Sequence, residues 1–173
     1  RERTGRTGYA RALVFNFKRL AWRVLRETGG LAHPPLGDLG KRMLLRSILA
    51  RRERELRLFG RTASRAGCVE RLANTLPELR AHCCAPETLD ARRAALQRQG
   101  RGESILALKL HDLSLLLRDF DAALSDRFLD TDDTVSRLAE ALPRCRSMRG
   151  AHAWIDGFTE FTPQELGVVR ALL

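Results

Sequence analysis

Leu106, Leu110, Leu113, Leu117, Phe120 and Leu124 follow one another at a 4-3-4-3-4 spacing, which puts all six on one side of a single α-helix. A seam of that length cannot stay in water, so whatever this chain folds into must supply a helix with apolar partners. It is shorter than three heptads, and Leu108, Leu115 and Leu116 widen the stripe beyond a two-stranded zipper, which favours the core helix of a bundle.

Candidate partners precede it. Asp38 can cap a long helix with Leu45, Ile48, Leu49 and Leu56 on one side and Arg51, Arg52, Arg54 and Arg57 on the rest, the arginines reading as a solvated face. A third stripe runs through Val69, Leu72, Leu76, Leu79 and Cys83, where Pro77 is expected to kink or split the helix. Pro86 suits the first turn of a short helix through Leu96, and residues 99–102, Gln-Gly-Arg-Gly, break the chain. After the seam, Thr131 is expected to cap a helix with Asp132 and Asp133 in its first turn and Val135, Leu138 and Leu142 inward.

The two ends read differently. Ala12 to Phe15 is a short β-leaning run, followed by a helical face of Phe17, Leu20, Ala21, Val24 and Leu25 that stops at Gly29-Gly30. Ala153-Trp154-Ile155 is a second strand candidate, leading into Asp156-Gly157-Phe158 and a helix from Gln164. The expected fold class is therefore mostly α with a small α/β part: residues 1–37 and 151–173 as strand-and-helix pieces, with a helical lobe over 38–150 between them. The chain opens on Arg1 and stops inside an apolar helical pattern at Ala171-Leu172-Leu173, so both ends are expected to be cuts.

Of the 173 residues, 31 are Lys or Arg and 21 are Asp or Glu, a net charge of +10 that predicts contact with a polyanion. No apolar run approaches the roughly 20 residues that a membrane span needs, and no signal peptide is visible, so a cytoplasmic protein without membrane contact is expected. Cys68, Cys83, Cys84 and Cys145 contain no CxxC pair and read as reduced thiols. His33, His82, His111 and His152 are scattered, and no serine stands in a GxSxG context. Asp126, Asp130, Asp132 and Asp133 read as the start of a capped helix, so no metal site is assigned. No phosphate loop GxxxxGK[ST] occurs, and neither Gly5 to Gly8 nor Gly100 to Gly102 supplies its lysine, so no catalytic residue is assigned and this chain alone is not expected to hydrolyse nucleotide.

Two features carry chemistry. The helix from Phe17 to Arg26 mixes Lys18, Arg19, Arg23 and Arg26 with Phe17 and Trp22, cations for phosphates and flat rings for bases. Either ring fits a core position equally well. Trp154-Ile155-Asp156 has the form of a strand ending in a metal-coordinating aspartate, a form that any strand before an Asp-Gly turn also takes.

Three segments, residues 14–25 (VFNFKRLAWRVL), 109–113 (KLHDL) and 154–165 (WIDGFTEFTPQE), resemble in order and wide spacing the N-terminal helicase-like region of AddB, the B subunit of the AddAB helicase-nuclease. The resemblance implies part of a RecA-like domain of superfamily 1 interrupted by a helical insertion lobe. It also implies a role in double-strand-break processing and recombinational repair: binding single-stranded DNA, scanning it for the Chi signal and docking on an AddA-type subunit. Phe17, Trp22 and Phe158 match aromatic positions implicated in holding Chi, with Lys18 and Arg19 beside them for phosphate. Asp156 matches the Walker-B-like aspartate, but Gly157 stands where a motor would carry its general-base glutamate. The ATP, Mg2+ and 4Fe-4S cluster of the parent family fall outside this segment, and no cofactor is expected within it. The competing expectation is a helical protein-protein interaction module without DNA affinity.

Overall fold

Seven α-helices carry the architecture of the computed structural model, which describes residues 12–31, 34–62, 65–125, 128–130 and 133–173. Gly5 to Gly8, His33, Asp126, Thr131 and Asp132 lie outside the described residues. The helices are α1 (Phe17–Thr28), α2 (Asp38–Arg52), α3 (Ala66–Ala81), α4 (Pro86–Arg98), α5 (Ile105–Ser125), α6 (Thr134–Ala141) and α7 (Pro163–Leu172). The chain is mostly helical, as its periodicity predicts. The single ladder among the described residues is a parallel pair of two-residue strands, β1 (Pro35–Leu36) and β2 (Leu129–Asp130).

Neither expected strand forms a ladder. Residues 12–15 and 153–155 carry no regular structure, and Val14 and Trp154 are 89% and 86% exposed. A strand exists only by hydrogen bonding to a neighbour, and among the described residues neither segment pairs with one.

The seam of α5 lies inside the molecule. Leu113, Leu116, Leu117, Phe120 and Leu124 are buried together with Leu45, Ile48 and Leu49 of α2, Leu72 and Leu76 of α3 and Leu89 of α4. The first residue of the seam departs from the pattern: Leu106, in the opening turn of α5, is half exposed, and Ala107 is buried beside it. Pro77 does not split α3, which runs unbroken from Ala66 to Ala81. A proline costs a helix interior about 3 kcal/mol. Burial of Leu72 and Leu76 in the turns before it, each leucine contributing about 1.5–3 kcal/mol, offsets that cost.

A second core joins the two ends of the chain. Ala21, Val24 and Leu25 of α1 pack with Val135, Leu138 and Ala141 of α6, with Leu142 and Cys145 just after it, and with Val168 of α7. The amphipathic face read in α1 is therefore real, and its partners come from α6 and the residues after it, at the end of the 38–150 stretch, and from α7. Asp133, rather than Thr131, occupies the N-cap position of α6 and makes an ion pair with Arg137 at 3.3 Å. Asp38 is likewise the first helical residue of α2, with Gly37 at the cap.

Two polar ties hold this arrangement. Asp112, wholly buried in α5, accepts hydrogen bonds from the backbone N–H groups of Arg57, Leu58 and Phe59, each at 2.8 Å. A buried carboxylate is tolerated only with such donors, and here it pins the turn after α2 against α5. The arginines of α2 are more than a solvated face: Arg52 donates to both oxygens of Asp119, at 2.8 and 3.0 Å, and Arg51 to one of them at 3.1 Å. Arg52 first, then Arg51, holds the Asp119 carboxyl below its usual range.

Candidate nucleic-acid interface

The helix α1 begins where its sequence allows. Asn16 accepts a hydrogen bond from the N–H of Arg19 at 2.8 Å, and Gly29, at φ +81°, closes the other end in the left-handed region that only glycine enters freely. No acidic side chain sits in the first turn, so the positive end of the helix dipole adds to Lys18 and Arg19, both exposed.

Phe17, the first residue of α1, meets the segment before α7. Its ring lies 5.2 Å from that of Phe158, tilted by 52°, and 6.3 Å from that of Phe161, edge-on at 74°. Phe158 and Phe161 stack at 5.1 Å and 23°. The fold thus brings Phe17 and Phe158 together from opposite ends of the sequence. Phe17 leans on the second core, whereas Phe158 keeps 43% of its surface in water.

Trp22 does not join this cluster of rings. It shares the Lys18 side of α1, one turn further on, and is 37% exposed, so it is not consumed by the core. Arg23 lies over the ring of Phe15 at 5.8 Å, a cation–π contact that the sequence pattern does not single out. Nor does the pattern single out Phe161. Its signal is positional: an aromatic residue immediately before a Thr-Pro-x-Glu cap.

Asp156 is exposed, and its Oδ1 accepts the N–H of Gly157 at 2.8 Å. Gly157 has φ +79°, a conformation in which a glutamate would be strained. The turn is therefore shaped for glycine, and no carboxylate follows Asp156 at position 157. Among the described residues no group of three or more His, Cys, Asp or Glu side chains could hold a metal ion. Cys68, Cys83, Cys84 and Cys145 are unbridged.

On the far side of α1, Glu27 receives the Ser147 N–H at 3.0 Å and the Cys145 thiol at 3.3 Å. Hydrogen bonding from Ser147, by side chain and backbone, then from Cys145, lowers the Glu27 carboxyl to about 2 from its ordinary 4.5. This tie fastens the chain just before the exposed segment to the helix that carries the basic and aromatic residues. A cleft of about 410 Å3 lies elsewhere, where Arg80 and Asp121 pair near Cys83, Cys84, Arg137 and Gln164, and it holds none of the expected site residues. No helix among the described residues is long and apolar enough to cross a membrane.

A family model described as ADDB, N-terminal, matches residues 2–173. Three relatives carry the name ATP-dependent helicase/deoxyribonuclease with the designation of its B subunit. To that of Symbiobacterium thermophilum the chain is 45% identical over 166 residues, covering 96% of this chain and 14% of that protein. To that of Desulforudis audaxviator it is 47% identical over 169 residues, covering 98% of this chain and 14% of that protein. With that of Bacillus subtilis it shares 39% over 169 residues, covering 96% of this chain and again 14% of the relative. The chain thus spans about one seventh of the length of these relatives. Matched over nearly all its length, the chain belongs to the AddB N-terminal family.

Proposed function

We propose that this chain is a single-strand reader: a helicase-derived segment that binds single-stranded DNA and inspects the order of its bases, the task of finding Chi during double-strand-break repair. Phe17, Trp22 and Phe158 offer faces to bases, and Lys18 and Arg19 draw in the phosphates. The observation that carries the reading is the meeting of Phe17 and Phe158 at the N-terminus of a basic helix, with rings left partly in solvent rather than buried. Stacking on aromatic faces accepts every base, and discrimination then comes from the fit of successive rings to successive bases.

Residues 1–37 and 151–173 would be parts of a RecA-like domain, with the helical lobe over 38–150 inserted between them; α6, from the end of that 38–150 stretch, joins α1 and α7 in one core. In this reading the protein acts beside an AddA-type motor subunit. The resident residues do not fit ATP hydrolysis, since Gly157 replaces the general base in a turn shaped for glycine. ATP, Mg2+ and the 4Fe-4S cluster are assigned to other parts of the parent protein.

The test is equilibrium binding of labelled single strands by the full-length protein, with Phe17→Ala, Trp22→Ala and Phe158→Ala as variants. Loss of affinity in correctly folded variants supports the reading, and unchanged affinity in all three refutes it.

A further inference from the structure

Phe158 is the most exposed of the clustered rings and sits on a segment, residues 151–160, that is exposed throughout. A ring on such a segment has no regular structure of its own to fix it. What fixes it is Phe161, stacked beneath it at 5.1 Å and 23°, together with the tilted ring of Phe17 at 5.2 Å.

Phe161 is itself held on both sides. It immediately precedes Thr162, whose N–H and hydroxyl both donate to Oε2 of Glu165, at 2.8 and 3.0 Å, while the Glu165 N–H returns a bond to the Thr162 hydroxyl at 3.4 Å. That capping box, with Pro163 at the first helical position, locks the backbone at the start of α7. Phe17 meets the Phe161 ring edge-on from α1. The favoured geometries of aromatic pairs are thus used in both directions, offset stacking on one side and an edge contact on the other.

We infer that Phe161 is a positioning residue for base reading: it stays half-buried, never reaches the strand, and presents the Phe158 ring at a fixed angle to an incoming base. This deepens the function proposed above and rests on it. A ring fixed before binding has less freedom to lose on binding, so the contribution of Phe161 is to preorganisation.

The experiment is a double-mutant cycle in the full-length protein, read by fluorescence anisotropy with labelled single strands of equal composition and different base order. Phe161→Leu keeps apolar bulk and removes the ring, and is expected to weaken binding about tenfold and to narrow the difference between base orders. Phe161→Tyr keeps the ring and is expected to retain both. In a Phe158→Ala background, Phe161→Leu is expected to add nothing, because its effect passes through the ring already removed. Fluorinated phenylalanine at position 158 gives a DNA-free readout, its resonance moving in Phe161→Leu and not in Phe161→Tyr.

Additive losses, or a Tyr variant as weak as the Leu variant, would overturn the inference while leaving the DNA reading intact. A wild-type protein that binds no strand refutes the DNA reading, and with it any role for Phe161 in base reading, even where the fluorine signal moves.

Discussion

The rings of Phe17, in the first turn of α1, and Phe158, just ahead of α7, sit 5.2 Å apart although they come from opposite ends of the chain. Their meeting depends on the second core, in which α6 lies against both end helices. Binding and folding are therefore linked: whatever loosens α6 or the tie at Glu27 separates the rings.

The direct consequence concerns the rings themselves. Phe158→Ala is expected to cost about 1–3 kcal/mol of single-strand affinity, and Trp22→Ala a similar amount. Phe158 is 43% exposed and Trp22 37%, so far-ultraviolet circular dichroism should show an intact fold in both variants. Phe17 leans on the core, so its alanine variant should also lose thermal stability.

Cations on the same helix should behave differently. Lys18→Ala and Arg19→Ala are expected to weaken binding equally for every base order. Each phosphate contact removed should lower the slope of log affinity against log salt by roughly 0.7 for a single strand. Titrations at several salt concentrations check this, and an order-dependent loss would show that these side chains do more than neutralise phosphate.

Stability of the helical lobe hinges on Asp112. Replacing it with alanine leaves three backbone N–H groups without their acceptor, at about 1–3 kcal/mol for each that stays buried, so unfolding by urea should shift by roughly 3 kcal/mol or more. Leu116→Ala, at a wholly buried position in the same helix, should cost about 2–5 kcal/mol. Both losses are expected without any change in the salt dependence of DNA binding.

Acid should act through Glu27. Its carboxyl is held near 2 in the folded chain against an ordinary 4.5, so its contribution is fully present above the ordinary value and is lost as pH falls from there towards 2. Glu27→Gln should therefore be less stable than the parent at neutral pH, with the gap closing across that window. Asp119, lowered in the same direction by Arg52 and Arg51, keeps part of the acid sensitivity in the variant. Urea midpoints measured across the acid range check the difference between the two proteins.

How much of the fold is legible in the sequence depends on whether the cause is local. Period 3.6 exposes the core faces of α1, α2 and α5 directly, because each buried residue answers to its own helix. Gly29 and Pro86 likewise mark helix ends by conformations that single residues dictate. The strands expected at 12–15 and 153–155 follow from composition, but a strand is defined by a neighbour, and none stands beside them among the described residues. Pro77 does not split α3: its local cost is visible in the sequence, and the burial of Leu72 and Leu76 that offsets it is not. Asp112 is an aspartate inside a leucine-rich helix, a signal in itself, but its three donors come from another part of the chain. The expected site residues Phe17 and Phe158 do meet, Trp22 stands apart on the neighbouring face of α1, and Phe161 is visible only once the rings are placed.

The central claim is that partly exposed rings, Phe17 and Trp22 on a basic helix and Phe158 beside its start, read base order in single-stranded DNA. The most direct measurement is anisotropy of labelled single strands of equal composition and shuffled order, titrated with the full-length protein as salt is raised. The account predicts tighter binding of one order, a preference that persists at high salt and disappears in Phe158→Ala. Equal binding of every order that fades with salt would contradict it, reducing the site to a basic surface.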